Sequence, residues 1–518
     1  MALLALTGAL VAVWALVYPP TPDLAAQVYR VGLFRELGLI VWDEHWYAGH
    51  QMPGYSLLFP PLGALLGLRL LGALSVLAST ALFARLSQLA FGESSRWGAA
   101  WFAVAAVGDA WAGRLAFALG VSFALAAGLA LLRRRAPAAA VLALLCAAAS
   151  PVAGALLGLV GVTLAFSERS PRALFALTLP ALLVIGSLAL LFPEGGFEPY
   201  PLRSFVVTAL VVLAFLWALP ARARLLRIGG WIYLLVCVLC LLVRSPVGSN
   251  IERYAVLLAG PMLLCALLSD PDRRARTAGG LGAAGVLALC VIGVWVLWGP
   301  VRETEAVAGS EATSASYYLP VERFLATRGG PVRIEVPLTR SHWEAALLAP
   351  SVSLARGWEK QLDTRFDSIL LDPGLTAARY GRWLHERAVS YVALPDARLD
   401  PSSAREGRLI RGGLPYLRRV FTSRHWRIYE VLGPTPLAVG PGALTSLGHD
   451  SFTLHANRPG RFLVRVHFTR YWTLVSGSGC VAPAYGGWTS VRLRDAGTAR
   501  VAARFSLSRA FDGGGSCS

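Results

Sequence analysis

The stretch RLAFALGVSFALAAGLALLRRRAPAAAVLALLCAAAS, Arg114 to Ser150, decides the fold. Residues 114–132 and 137–150 are apolar almost without interruption, and Arg133, Arg134 and Arg135 stand between them. An apolar run of roughly 17 to 25 residues can cross the hydrocarbon core of a bilayer, and arginines collect in the short loops on its cytoplasmic side. The reading predicts two membrane helices joined by an inner turn.

The pattern repeats on either side. Spans are expected over 3–18, 57–86, 96–108, 114–132, 137–150, 152–167, 173–192, 204–220, 228–243, 254–269 and 279–299, about eleven in all. The composition agrees: 55% of residues are hydrophobic and only 15% charged, against about 25% charged in a soluble globular chain. A formal net charge of +18 would suggest nucleic acid in a soluble protein, but here the basic residues mark loops at a membrane, so nucleic acid is not an expected partner. Nearly all of that charge is arginine, with Lys360 the only lysine. Met1 to Tyr18 lacks a basic leading region and a small-residue cleavage site, so it reads as a retained helix rather than a signal peptide.

Arginine also orients the bundle. With a cytoplasmic N-terminus, the inner loops hold Arg85 and Arg96; Arg133 to Arg135; Arg169 and Arg172; Arg222, Arg224 and Arg227; and Arg273, Arg274 and Arg276. An odd number of spans then puts residues 301–518 outside. The predicted architecture is an α-helical polytopic membrane bundle over 1–300, an exterior α/β domain over 301–440 and a β-sandwich-like domain over 441–518. Residues 301–316 read as a polar linker. Val332 to Leu338 and Val389 to Leu394 read as buried strands, and Thr376 to Ala388 as a helix. Phe452–Ala456, Phe462–Phe468, Trp488–Leu493 and Ala499–Phe505 alternate with Gly, Pro and Asn turns, as sandwich strands do. Five of the seven cysteines lie in apolar spans, where they pack. Cys480 and Cys517 form a lone pair in the polar C-terminal region and are expected to be joined, as an oxidising exterior favours.

Two outer segments are more than connectors. Pro19 to Ser56 far exceeds the about 2 to 8 residues usual between helices, and loops of that size tend to be functional. Thr21-Pro22-Asp23 has the features of a helix start, and Leu24, Val28, Val31 and Phe34 supply an apolar stripe. A short amphipathic helix on the membrane surface is expected there. Tyr55 to Leu86 is too long for one perpendicular span, and Pro60-Pro61 suggests a first segment near the interface, which keeps Arg69 away from the bilayer centre.

No P-loop, dinucleotide fingerprint, HExxH or GxSxG occurs, so soluble-enzyme chemistry has no foothold. Polar residues gather instead at the expected outer surface: Asp23, Asp43, Glu44, His45 and His50 in the first loop, Asp109 and Arg114 in the second, and Arg244, Asn250, Glu252 and Arg253 before the tenth span. Each has a plain structural alternative. Asp23 suits a helix N-terminus, Asp43 and Glu44 suit solvated loop positions, Asp109 a solvated turn, and Arg244 and Arg253 suit interfacial anchors. Trp42, Trp46, Tyr47 and Tyr55 suit an aromatic belt. His45 and His50 lack the spacing of a usual metal pair.

The run Trp42-Asp43-Glu44-His45-Trp46-Tyr47-Ala48-Gly49-His50-Gln51-Met52-Pro53-Gly54-Tyr55, then Phe59-Pro60-Pro61-Leu62, resembles the GT-C glycosyltransferase superfamily, and within it the bacterial YfhO-like and 6-pyruvoyl-tetrahydropterin-synthase-related membrane proteins. The long first outer loop with an early acidic residue and the final segment with Tyr471-Trp472 and Ala496-Gly497 are similar too. The resemblance implies transfer of a sugar from a polyprenyl-phosphate donor, among membrane lipids, to an exterior cell-envelope glycan or lipid. It maps the catalytic base onto Asp23, with Asp43 and Glu44 as rivals. Arg244, Arg253, Arg69 and Arg114 are then the candidates for the donor phosphate, and His45, Trp46, His50, Asp109 and Asn250 for the acceptor. Some members of the superfamily use a divalent cation, so magnesium or manganese at Asp23 or Asp43 is compatible with it. A transporter or lipid flippase, and a nonenzymatic assembly protein, are the competing functions. Against transport stand the lack of an internal repeat and the placement of charge at the surface rather than the midplane.

Overall fold

The computed structural model describes residues 2–270, 281–511 and 517; the arginine loop over 273–276 lies outside them. The chain forms two compact units, one of Met1–Gln27, Tyr55–Ala189 and Phe197–Ala306, the other of Val28–Gly54, Leu190–Gly196 and Val307–Ser518.

The first unit is helical. Its elements are α1 (Ala2–Val17), the first turns of α2 (Pro22–Leu37), α3 (Phe59–Leu66), α4 (Leu68–Phe91), α5 (Arg96–Trp111), α6 (Leu115–Leu132), α7 (Ala136–Ala149), α8 (Pro151–Glu168), α9 (Leu179–Leu191), α10 (Leu202–Ala218), α11 (Arg224–Leu242), α12 (Glu252–Leu268) and α13 (Gly282–Val307). Each expected span falls on one of these helices. Among the described residues, seven helical stretches are long and apolar enough to cross a membrane, or eight if α1 and α2 form one broken span. The difference from eleven arises because α4 and α5 form a single stretch, Leu68–Trp111, because α7 and α10 are short, and because α1 by itself has only 16 residues.

Small residues let these helices approach closely, as in membrane bundles generally. A Cβ on Gly154 of α8 would lie 2.6 Å from the Ala147 side chain of α7, and one on Gly72 of α4 would lie 2.6 Å from the Trp14 ring. Trp14 Nε1 donates to the Ala110 carbonyl at 3.1 Å, which ties α1 to α5. The expected break after Pro60-Pro61 falls at Gly67, whose φ of 79° separates α3 from α4. Arg69, in the first turn of α4, sits 4.5 Å from the Tyr18 ring.

The second unit holds two β-structures and a hairpin, β1 (Trp42–Asp43) with β2 (His50–Gln51). The first is a five-stranded sheet of β3 (Arg333–Glu335), β4 (Ser353–Leu354), β5 (Val389–Pro395), β6 (Leu417–Thr422) and β7 (Trp426–Val431), ordered β4-β3-β5-β7-β6. β3 runs parallel to β4 and β5, while the β5-β7-β6 edge is antiparallel. Tyr380, Trp383 and Leu384, from the helix Ala377–Glu386, pack with Val389, Val392 and Ile410 in its core. The Thr376 side chain caps that helix by accepting from Arg379 N.

The second β-structure is a sandwich. β9 (Gly442–Leu447), β10 (Ser451–Ala456), β12 (Trp472–Ser476) and β15 (Gly497–Ala503) make one sheet; β8 (Ala438–Val439), β11 (Gly460–His467), β13 (Gly479–Pro483) and β14 (Trp488–Leu493) make the other. Strand residues alternate between faces, and Phe452, Leu454, Phe462, Val464 and Val466 are buried accordingly. Cys480 on β13 is joined to Cys517, with Cα atoms 5.1 Å apart.

Two local expectations are corrected. The polar linker is helical at its start, because α13 continues through Arg302-Glu303-Thr304-Glu305 to Val307, a run that includes good helix formers. Likewise α2 forms where the start signal lies, but its side chains are occupied by protein rather than laid along a surface: Leu24, Ala25, Ala26, Gln27, Tyr29, Arg30, Val31 and Leu33 are all buried.

Candidate active site

The turn after α5 brings the polar residues of the first unit together. Gly113 has a φ of +81°, and a Cβ there would lie 2.6 Å from the Leu24 backbone nitrogen, so only glycine lets this turn press against the start of α2. Thr21 Oγ1 donates to the Trp111 carbonyl at 3.3 Å. Gln27 completes the join: its Nε2 donates to the carbonyls of Gly113 and Asp23, and its Oε1 accepts from Ala116 N at 3.0 Å.

Asp23 and Arg114 meet on this platform. Arg114 Nε donates to Asp23 Oδ2 at 3.2 Å, and its Nη1 reaches Asp109 Oδ1 at 3.4 Å. Arg253, in the first turn of α12, places Nη2 3.9 Å from the same Asp23 oxygen. Asp109 lies in the last turn of α5 and is buried, with Oδ2 lacking a hydrogen-bond partner, so the expected solvated turn is corrected.

An apolar cavity of about 400 Å³ lies in the same unit, lined by Phe117, Val121, Phe215, Tyr233, Tyr254 and Leu258 among others. Phe117 links it to the charges, since the Arg253 guanidinium sits 5.3 Å from that ring. Gln27 and Phe117 were not singled out from the sequence. Their signal was helical spacing, four residues after Asp23 and three after Arg114, which puts each on its neighbour's face.

The other candidates lie elsewhere. Arg244 is 5.1 Å from the Phe197 ring, and Asn250 belongs to the turn Gly248–Ile251 that leads into α12. In the second unit Asp43, Glu44, His45, Trp46 and His50 are all buried, which corrects the reading of Asp43 and Glu44 as solvated loop charges and of Trp46 as an interfacial ring. Asp43 accepts from Tyr29 OH at 2.8 Å and from His449 Nδ1 at 2.9 Å. Glu44 pairs with Arg333 and accepts from Ser353 Oγ at 3.2 Å. Burial lifts the Glu44 carboxyl to about 7, against the opposing pull of Arg333. His45 donates to the Ala349 carbonyl at 2.6 Å and Trp46 to that of Ala345 at 3.0 Å. Burial lowers His45 to about 4. Trp46 stacks on Tyr29 with centroids 4.5 Å apart. These contacts make the hairpin a buried part of its unit.

Burial opposes the charge of His449, but its hydrogen bond to Asp43 raises the imidazole pKa above 6.5. Burial likewise opposes the charge of Asp43, yet the hydrogen bond and charge of His449 hold that carboxyl below its ordinary range. A histidine raised on folding stabilises fully below its unfolded pKa and loses that contribution as pH rises through the folded one. The drop in melting temperature caused by His449→Gln is therefore expected to be largest near pH about 6 and to shrink by pH about 9. A drop that is constant over this range in thermal unfolding would show that the pair is not ionic.

Fold and site together define a polytopic membrane protein with a polar cluster beside an apolar cavity. No known family matches the sequence, and no curated protein matches it. Among solved structures, the chain is distantly similar to the cryo-EM structure of arabinofuranosyltransferase AftD from Mycobacteria, at 15% identity and a TM-score of 0.46. The match covers 99% of this chain and 58% of that one, so the chain spans little more than half its length.

Proposed function

We propose that this chain is a GT-C-type membrane glycosyltransferase that moves a sugar from a polyprenyl-phosphate carrier to a hydroxyl of a cell-envelope glycan or lipid. One observation carries the reading: Asp23, Arg114 and Arg253 cluster beside an apolar cavity, with Phe117 common to both. A lipid phosphate requires that pairing, cations for its head and an apolar wall for its chain. The sequence resemblance supports it independently.

In this reading Asp23 is the general base. Its side chain is 36% exposed, so an acceptor hydroxyl can reach it. It takes the hydroxyl proton as the new glycosidic bond forms, while the anomeric carbon–oxygen bond breaks and the phosphate leaves with the electron pair. Arg253 and Arg114 stabilise that phosphate as its charge grows, and Asp109 positions the acceptor. Asp43 and Glu44 recede as bases because both are buried and engaged within the second unit. A plasma-membrane location, a cytoplasmic N-terminus and an exterior second unit complete the proposal, and the Cys480–Cys517 bond suits an oxidising exterior.

In this reading the Asp23 cluster works without a divalent cation. Asp23 and Asp109 already face guanidiniums, and among the described residues no three His, Cys, Asp or Glu side chains are grouped to hold a metal.

Arg253→Ala tests the phosphate assignment. Binding of a photoreactive polyprenyl phosphate to the full-length protein in nanodiscs is expected to weaken by about 10- to 100-fold, the range for a charged hydrogen bond. Unchanged labelling would remove Arg253 from the donor site.

A further inference from the structure

After the last sandwich strand, Phe505, Leu507 and Phe511 are 49%, 63% and 76% exposed, although the segment that carries them is held firmly. At its start, Arg504 N donates to the Tyr471 carbonyl at 2.9 Å. The helix Leu507–Phe511 is pinned by two arginines: Arg509 Nη1 donates to the Trp472 carbonyl at 2.7 Å, and Arg470 Nη1 donates to the Ala510 carbonyl. Ala510 is the buried residue of that helix. Beyond it, Cys517 is bonded to Cys480 of β13. Polar bonds and a disulfide therefore fix the segment, while its three largest apolar side chains remain in the open. Clustered apolar groups on an ordered surface mark a place of contact.

The position of the segment says what it meets. Leu190 and Leu191, the last residues of α9, belong to the second unit, and they end a stretch, Leu174–Leu191, that is long and apolar enough to cross a membrane. Tyr471 OH donates to the Leu191 carbonyl at 2.5 Å. Phe192, Tyr471 and Phe505 form one ring cluster, with centroids 5.5 to 5.7 Å apart. Phe505 is thus fixed at the point where an apolar span ends, the level of the lipid–water boundary at which aromatic side chains collect. Leu190 beside it is 71% exposed, as a lipid-facing residue is. Strand register sets the direction of the sandwich from there. Ser451, Trp472 and Ala503 share the end next to this cluster, whereas Ala456 and Gly497 lie at the other, about 17 Å along the strands.

From this arrangement we infer that residues 505–511 are a membrane contact of the second unit, with Phe505, Leu507 and Phe511 inserted into the bilayer interface beside the end of α9. Apolar faces of this kind reach about 5–10 Å into the boundary between head groups and acyl chains, and the exposed Arg504 next to Phe505 suits the head groups themselves. The inference does not depend on the transferase reading. Photocrosslinking tests it, with p-benzoylphenylalanine in place of Phe511, of Leu507, or of the exposed Asn457 in the turn after β10 at the far end of the sandwich. Irradiation of the full-length protein in phosphatidylcholine nanodiscs, read by intact mass, should attach lipid at 511, 507 or both about 10-fold more often than at 457, since burial of one large apolar side chain favours the apolar phase by at least that factor. All three positions are exposed, so the substitutions leave the fold intact. Lipid yields at both 511 and 507 no higher than at 457 would overturn the inference. Adducts at both positions to a second polypeptide instead of lipid would overturn it as well, by making the patch a protein interface.

Discussion

Replacing Asp23 by Asn is expected to slow sugar transfer by about 100- to 10,000-fold, the usual contribution of a positioned general base. The change removes the proton acceptor but keeps size and one acceptor oxygen, so the platform built by Gln27, Gly113 and Thr21 should persist. Expression and thermal stability should stay near wild type. Donor labelling should also be largely retained, because Arg114 and Arg253 remain. That separates the variant from Arg253→Ala, in which binding and turnover fall together. Wild-type transfer by Asp23→Asn would move the base elsewhere. If the combination of Asp23→Asn with Asp43→Asn and Glu44→Gln were also fully active, the transferase reading would give way to transport or scaffolding.

Glu44→Leu should act on stability rather than chemistry. Glu44 and Arg333 are 1% and 0% exposed and paired, so removing the carboxylate strands a buried guanidinium. Breaking one side of such a pair costs about 3 to 5 kcal/mol, which for a unit of this size lowers the melting temperature by roughly 10 °C. The double variant Glu44→Leu with Arg333→Leu should recover much of the loss, since an apolar pair of similar volume often replaces a buried ion pair without penalty. Tryptophan fluorescence on heating reads this directly. Activity per folded molecule should be unaltered by Glu44→Leu at low temperature; a selective loss of turnover with normal melting would restore Glu44 as a catalytic candidate.

The contrast between these two carboxylates explains what the sequence could reveal. Membrane helices are local objects, and the hydrophobic run from Leu115 to Leu132 announces one regardless of its neighbours. The start of α2 at Thr21-Pro22-Asp23, the break near Pro60-Pro61, the sandwich strands and the cysteine pair were legible for the same reason. The surroundings of Asp43 and Glu44 were not, because their partners His449 and Arg333 are hundreds of residues away in the chain. Nothing in the local pattern separates a buried, paired loop carboxylate from a solvated one. Asp109 misled differently: it lies in the last turn of α5, which runs to Trp111, whereas the span expected from hydrophobicity ended at residue 108 and left it in the connector. The apolar stripe on α2 was real, yet Gln27, Tyr29 and Arg30 on its other sides are buried as well, and only tertiary packing could account for that.

The bond from Cys480 to Cys517 spans 37 positions that include β14 and β15. A protease that nicks the chain inside this ring releases nothing: the severed pieces stay linked through sulfur and through their sheet neighbours. On a gel without thiol, such a nicked protein keeps its full mass, and its cuts become visible only after reduction. Digestion mapped under reducing conditions alone would thus mistake a covalently held β-structure for a detachable tail. The remaining described cysteines, at 146, 237, 240, 265 and 290, all lie within the apolar helices, so they are poorly placed to exchange with the ring.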